Sequence, residues 1–395
     1  MSNSKEDHTT TQLKILLITR NLPPLVGGME RLNWHLANGL SQHAQVTIIG
    51  PKQSLSKAPP NTDFIGAPLK PLWRFILSTL ISSIWFCIKR RPEIVFAGSG
   101  LTAPMALIGA KFSGGTSVVY LHGLDIAVNH PLYRLLWLPA IRRMGRVIVN
   151  SSYSEKLARA VGIADHKICI IHPGVSLPDK TPSEDTIAAF RARHKLGNSR
   201  LLLSVGRLTE RKGLMEFVRF CLPEIIAAIP DAILVVIGDE PSDSLYAKHQ
   251  SIASIQSEVE KSGLGGHIRF LGWMPMDADD LQTAFYTSSV HIFPVKHSDS
   301  DPEGFGMVAV EAAAQGLPTV AFASGGIVDA VYQDKSGYLV EPGNYPAMTQ
   351  ATIQVLADAR PVWRHQTLDF ACGFAWPLFN KKVSNILNIA HSLHN

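Results

Sequence analysis

Val290-His-Ile-Phe-Pro294, followed by Asp299-Ser-Asp-Pro-Glu303-Gly-Phe-Gly306-Met-Val-Ala-Val-Glu311-Ala-Ala-Ala-Gln-Gly316, is the stretch on which the fold of this chain turns. The apolar run predicts a short buried strand. Gly304 and Gly306 then lead into a strong helix former over 307–315, which Gly316 and Pro318 stop. A strand, a glycine-bearing turn and a helix N-terminus together make an anion site. Free backbone N–H groups and the positive helix end face whatever lies above the strand tip. Seven residues separate Glu303 from Glu311. With the helix starting near Gly306, Glu311 falls in its second turn and Glu303 on the loop before it. One acid can then hold hydroxyls beside phosphates while the other reaches further along the same ligand. A core helix carrying two incidental glutamates is the plainer alternative.

The same pattern of strand, polar tip and helix recurs on both sides. Residues 13–19 predict a first parallel strand, and the loop after it carries Gly27 and Gly28 ahead of a helix beginning near Glu30. Further strands are predicted at 46–50, 92–98, 118–121 and 147–150, with His122-Gly-Leu-Asp125 at the tip of one of them, and residues 168–175 close the half. Ser152 and Ser154 are candidate caps for a helix after residue 150. The polar, proline-bearing tract 178–185 reads as a boundary. A second series follows at 200–206, 232–238, 267–272, 290–294 and 319–324. Strands alternating with helices predict an α/β protein with parallel sheets, whose ligands sit at the carboxyl ends of the strands.

At 395 residues the chain exceeds one ordinary core, so two domains are expected. A hydrophobic content of 46% with 17% charged residues excludes a disordered chain. Cys87, Cys169, Cys221 and Cys372 are scattered, with no metal or redox spacing, which points to a reducing compartment. Residues 1–12 are polar and unlike a signal peptide. Through residue 180 there are 20 Lys+Arg against 9 Asp+Glu; the remainder holds 17 against 23. A basic first half and an acidic second half predict different partners for the two. Residues 75–88 form a 14-residue apolar segment flanked by Trp73, Arg74, Lys89, Arg90 and Arg91. That is short of the ~20 residues needed to span a bilayer. A helix packed on a sheet, with basic ends able to meet lipid headgroups, is expected instead.

Beyond the first strand of the second series lies Gly206-Arg207-Leu-Thr-Glu-Arg-Lys212-Gly213. Arg offers a planar fork of donors and Lys a mobile point charge, a pairing that suits the several oxygens of a diphosphate. This Gly-Arg-Leu-x-x-x-Lys-Gly pattern, Glu303-x7-Glu311 and Gly27-Gly28-x-Glu30 together resemble glycosyltransferase family 4, retaining enzymes that use nucleotide sugars. His122-Gly123, His172-Pro-Gly-Val175, Gly337-Tyr-Leu-Val340 and Phe374-Ala-Trp376 extend the resemblance over about 13 to 390. It implies the GT-B architecture: two Rossmann-like, doubly wound parallel-sheet domains facing a central cleft. An N-terminal acceptor-side domain is expected at 13–178, a nucleotide-sugar-binding domain at 179–363, and a helical segment at 364–395 crossing back to the first.

By that resemblance Arg207 and Lys212 stabilise the leaving diphosphate, helped by N–H groups around Gly304, Phe305 and Gly306. Glu303 holds sugar hydroxyls and Glu311 the ribose, while Gly27 and Gly28 close over the diphosphate. His122, with Asp125, lines the acceptor side near the anomeric carbon. The expected reaction is retaining transfer of a hexose, mannose or rhamnose foremost, from a GDP- or UDP-sugar to a lipid-linked or glycan acceptor. Bacterial lipopolysaccharide, O-antigen or capsule synthesis is the implied setting.

Two Asp-x-Asp patterns, at 277–279 and 299–301, invite a metal-dependent alternative. The first reads better as N-cap and first-turn acids of the next helix, and Arg207 and Lys212 can neutralise a diphosphate unaided, so neither metal nor cofactor is expected. A sugar-nucleotide epimerase or a phosphorylase shares the architecture, and a binding protein with a dead site is a third class. The basic clusters at 70–74, 89–91 and 142–146 lead to one more expectation. The first half should bind anionic membranes peripherally, at the cytoplasmic face, through charges worth about 1 kcal/mol each.

Overall fold

The structure, a computed structural model, describes residues 12–240, 250–275, 278–299, 301–358 and 360–392. Residues 1–11, Asp277 and Ser300 lie outside them. The chain divides into two compact units. One takes in the chain up to Asn150, Glu155–Ile171 and everything from Phe379 on; the other takes in Ser151–Ser154 and His172–Leu378.

Seven strands make the sheet of the first unit: β1 (Lys14–Ile18), β2 (Gln45–Pro51), β3 (Thr62–Ala67), β4 (Ile94–Ala97), β5 (Thr116–Leu121), β6 (Arg146–Val149) and β7 (Ile168–Ile170). They lie in the order β3-β2-β1-β4-β5-β6-β7, all parallel. Helices cover both faces, so Leu16, Leu17, Ile18, Phe96, Val118 and Val119 are all inaccessible, although they alternate in direction. Each such apolar side chain contributes about 1.5–3 kcal/mol. Because the chain runs one way from β1 and the other way from β4, the tips of β1 and β4 flank the switch point. β3 escapes a sequence reading because it is an edge strand, mixed in exposure and interrupted by Gly66.

The apolar segment expected at 75–88 is longer, a helix over Leu72–Arg90. Among the described residues it alone has the length and apolarity to cross a bilayer. It nevertheless serves as the crossover between β3 and β4, packing on the helix Ala103–Ser113. It buries only Phe75, Thr79, Ser83 and Cys87, one stripe repeating every four residues. The opposite face carries Trp73, Leu77, Ile81, Trp85 and Ile88, each about half exposed or more. An ordinary surface helix reverses this distribution. The helix Pro131–Arg143 also escapes sequence reading, since Pro139 lies inside it and Leu132, Leu135 and Leu136 face outward.

The second unit holds β8 (Arg200–Val205), β9 (Ala232–Ile237), β10 (Ile268–Phe270), β11 (Val290–Phe293), β12 (Thr319–Phe322) and β13 (Gly337–Val340). Their order is β10-β9-β8-β11-β12-β13, again all parallel, with the switch point between β8 and β11. Two cap expectations need correction. Ser151, not Ser152 or Ser154, turns the chain into its helix, its Oγ accepting from the Ser154 N–H at 3.1 Å. Ser152 instead donates from both its N–H and its Oγ to Asp329. The helix Asp279–Thr287 starts from Ala278 without a side-chain cap, leaving Asp279 and Asp280 as first-turn acids.

Candidate active site

At the switch point of the second unit, a shallow pocket is lined by Val205, Gly206, Arg207, Lys212, Phe293 and Pro294, among others. β8 delivers Arg207 on the loop leaving its tip, exposed and without a hydrogen bond or ion pair among the described residues. Lys212 closes the short 3-10 turn Glu210–Lys212. Its Nζ stands 4.8 Å over the Phe293 ring and donates to Glu303 Oε2 at 2.8 Å. Burial draws Lys212 below the ordinary lysine range, Glu303 opposing that pull. His291, in β11, is held neutral by burial and by Lys212, its pKa pushed down to about 3.

The stretch that opened the sequence reading folds as expected. β11 ends at Phe293, and the helix Met307–Ala314 begins after Gly306. Gly306 sits at φ +89, a left-handed conformation, and a Cβ there would lie 2.9 Å from the Phe293 ring. No side chain caps this helix; the Ala309 N–H turns back to Gly306 O at 2.9 Å, and Met307 and Val308 precede it in the first turn. Glu311 lies buried in the second turn. Glu303 stands on the preceding turn, braced by Gly325-Gly326 at the tip of β12. The Gly326 N–H donates to Glu303 O at 2.8 Å, and a Cβ on Gly326 would fall 2.0 Å from Gly304 O. Arg207, Lys212, Glu303, Phe305 and Gly306 thus share one end of one sheet.

Arg211 belongs to this cluster and was given no role by the sequence reading. Its Nη1 donates to Glu303 Oε2 at 2.6 Å, and its Nε lies 3.0 Å from Asp301 Oδ2. Burial alone would raise the Glu303 carboxyl, but Lys212 and Arg211 override it and hold the pKa at about 2. Arg211 is itself raised, the two carboxylates outweighing its burial. The Arg-Lys dipeptide was visible, yet only the fold shows which of its members faces two carboxylates. Of the Asp-x-Asp residues, Asp301 is thus engaged by Arg211, Asp280 beside the first pattern pairs with Arg193, and Asp299 is exposed. Among the described residues no three His, Cys, Asp or Glu side chains gather as metal ligands would.

In the first unit, the loop from β1 ends in Gly27, which caps the helix Gly28–Leu40. Glu30 accepts from Asn21 Nδ2 at 2.7 Å, and its Oε2 would lie 2.4 Å from a Cβ on Gly27. A side chain at that position would therefore have to push the Glu30 carboxylate aside. Gly98, at the tip of β4, accepts from His122 Nε2 at 3.0 Å. A carbonyl only accepts, so this contact puts a proton on Nε2. The His122 N–H donates to Asp125 Oδ2 at 3.0 Å, so His122 and Asp125 form one constellation beside β4.

Comparison with known proteins supplies the family. The family model described as Glycosyltransferase Family 4 matches residues 26–178, and that described as Glycosyl transferases group 1 matches residues 199–358. A D-inositol 3-phosphate glycosyltransferase of Catenulispora acidiphila is 30% identical over 319 residues, 76% of this chain and 72% of the relative. The chain belongs to glycosyltransferase family 4. It is a transferase that uses a nucleotide sugar. A GDP-mannose-dependent α-(1-6)-phosphatidylinositol monomannoside mannosyltransferase of Mycolicibacterium smegmatis is 27% identical over 410 residues, covering 95% of the transferase and 98% of that protein. Among solved structures, Anabaena HepE in complex with UDP and glucose superposes with a TM-score of 0.77 at 18% identity, over 95% of the transferase and 99% of HepE. That likeness concerns the fold, and it makes the two units of the transferase GT-B units.

Proposed function

We propose that this transferase moves a mannose-type hexose from a GDP-sugar, with retention, to the hydroxyl of a lipid-carried acceptor. The observation that carries the donor half is the group of cations at the β8–β11 switch point, beside an uncapped helix N-terminus. Arg207 and Lys212 meet the diphosphate and stabilise the charge that grows on it as the glycosidic bond breaks. N–H groups around Gly304, Phe305 and Gly306 assist them, and in the first unit the Gly27-Gly28 turn offers its own backbone approach to phosphate. Glu303 holds sugar hydroxyls through its Oε1, which has no partner among the described residues, and Glu311 holds the ribose. His122 and Asp125 serve the acceptor side. The relatives' names favour GDP-mannose as donor and a glycolipid as acceptor. An O-antigen or polysaccharide precursor on a lipid carrier would present the same chemistry.

With cations doing this work, the reaction needs neither metal nor cofactor. Calorimetry with GDP, UDP and ADP tests the donor, and GDP should bind most tightly, in EDTA as well as without it. Tighter UDP binding, or activity lost to EDTA and restored by magnesium, would refute these parts. Glu311→Gln should weaken GDP binding by about tenfold, the effect of losing one hydrogen bond from a charged group. Binding as tight as wild type would take the ribose away from Glu311.

The lipid half rests on the outward face of the helix Leu72–Arg90. Arg74 lies over Trp73 and Lys89 over Trp85, so both tryptophans carry cations to the rim of an apolar strip. No acid lies on this helix, and Lys89, Arg90 and Arg91 follow one another at its end. Apolar side chains inserted among acyl chains, with basic residues at headgroup level, give reversible binding at the cytoplasmic face. In vesicle flotation, the transferase should float with anionic lipid, less so as salt rises, and less when Lys89, Arg90 and Arg91 become Ser. Equal flotation with neutral vesicles, or none with anionic ones, would refute it.

A further inference from the structure

Lys212 is already occupied. Its ammonium shares a single oxygen, Glu303 Oε2, with the Arg211 guanidinium, at 2.8 and 2.6 Å. An ammonium bound to a carboxylate in a half-buried site resists meeting a phosphate, since leaving would strip the carboxylate of its counter-charge. Arg211 removes that obstacle. It has its own hold on Glu303 and a second on Asp301 at 3.0 Å, and its backbone carbonyl accepts from the Lys296 N–H at 2.9 Å. The guanidinium is therefore fixed at both ends, whereas the ammonium sits on a flexible stem over a ring face.

We infer that Arg211 is the positioning residue that releases Lys212: it stays on Glu303 as the nucleoside diphosphate enters, so that Lys212 Nζ can leave Oε2 for the phosphate oxygens. Arg211 itself touches neither phosphate nor sugar. It also keeps Glu303 ionised and leaves Oε1 turned to the ligand. This rests on the assignment of Lys212 to the diphosphate given above.

A binding cycle tests it, with GDP and UDP titrated in parallel against GMP and UMP. Arg211→Ala should weaken the diphosphates by about tenfold or more, as for a hydrogen bond to a charged group, and leave the monophosphates nearly unchanged. Glu303→Gln should not weaken them, and in that background Arg211→Ala should have no further effect, because nothing then holds Lys212 back. An equal loss in both backgrounds would mean that Arg211 acts on the diphosphate by its own charge, and would overturn the inference. So would unchanged affinity in Arg211→Ala. Where Arg211→Ala loses its thermal transition, Arg211→Gln gives the same comparison. Lys212→Ala separates the two levels. Wild-type affinity there removes the diphosphate assignment and this inference with it, whereas a weakened Lys212→Ala beside an unaffected Arg211→Ala removes the inference alone.

Discussion

Lys212→Ala and Arg207→Ala should each reduce turnover by about 10²-fold or more, the cost of removing one donor aimed at developing charge. The two should differ in how they fail. Arg207 is exposed and has no partner among the described residues, so its loss should leave the melting temperature where it was and act on catalysis alone. Lys212 is mostly covered and bonded to Glu303, so its loss should also lower stability modestly, Arg211 remaining to neutralise the carboxylate. Steady-state kinetics beside thermal melts decide the matter. A near-normal rate in either variant removes that residue from the diphosphate.

Glu303→Gln should cost a comparable factor in kcat, with the nucleoside diphosphate still bound. The substitution keeps the shape of the side chain but ends its service as a charged acceptor for sugar hydroxyls. It should also change the acid limb of the stability curve. Glu303 has a folded pKa of about 2, below that of an unfolded glutamate. Its ionisation therefore stabilises the fold above about pH 4.3, and that contribution fades as pH falls toward about 2. In the Gln variant the loss of stability across that interval should be shallower than in wild type. An identical acid limb would mean that the carboxylate is not held as its partners require, and an unchanged kcat would remove it from the sugar.

Much of this was legible in the chain because the informative residues repeat with the architecture. Each apolar run of a parallel sheet ends where a ligand can sit, so Gly206-Arg207, Gly304–Gly306 and His122 marked the strand tips. What stayed hidden depended on partners distant in sequence. Arg211 reads as one more charge beside Lys212 until β8 and β11 bring Asp301 and Glu303 to it from about ninety residues away. The Asp329 grip on Ser152 spans 177 positions, and a serine beside two others gives no sign of it. Edge strand β3 and the proline-bearing helix Pro131–Arg143 were obscured for a different reason: both are incompletely buried, and periodicity records burial, not backbone conformation.

The helix Leu72–Arg90 keeps its core contacts and its outward residues on separate stripes. Anyone handling the protein meets the second stripe first. Trp73, Leu77, Ile81 and Trp85 would recruit detergent, coat plastic and draw copies together in concentrated stocks. Because Phe75, Thr79, Ser83 and Cys87, with Ile76, Leu80 and Phe86 packed beside them, hold the helix to the core, the other four can be exchanged for Ser, Gln or Glu without opening a void. The packing of this helix and the stickiness of its outer face are thus independently adjustable.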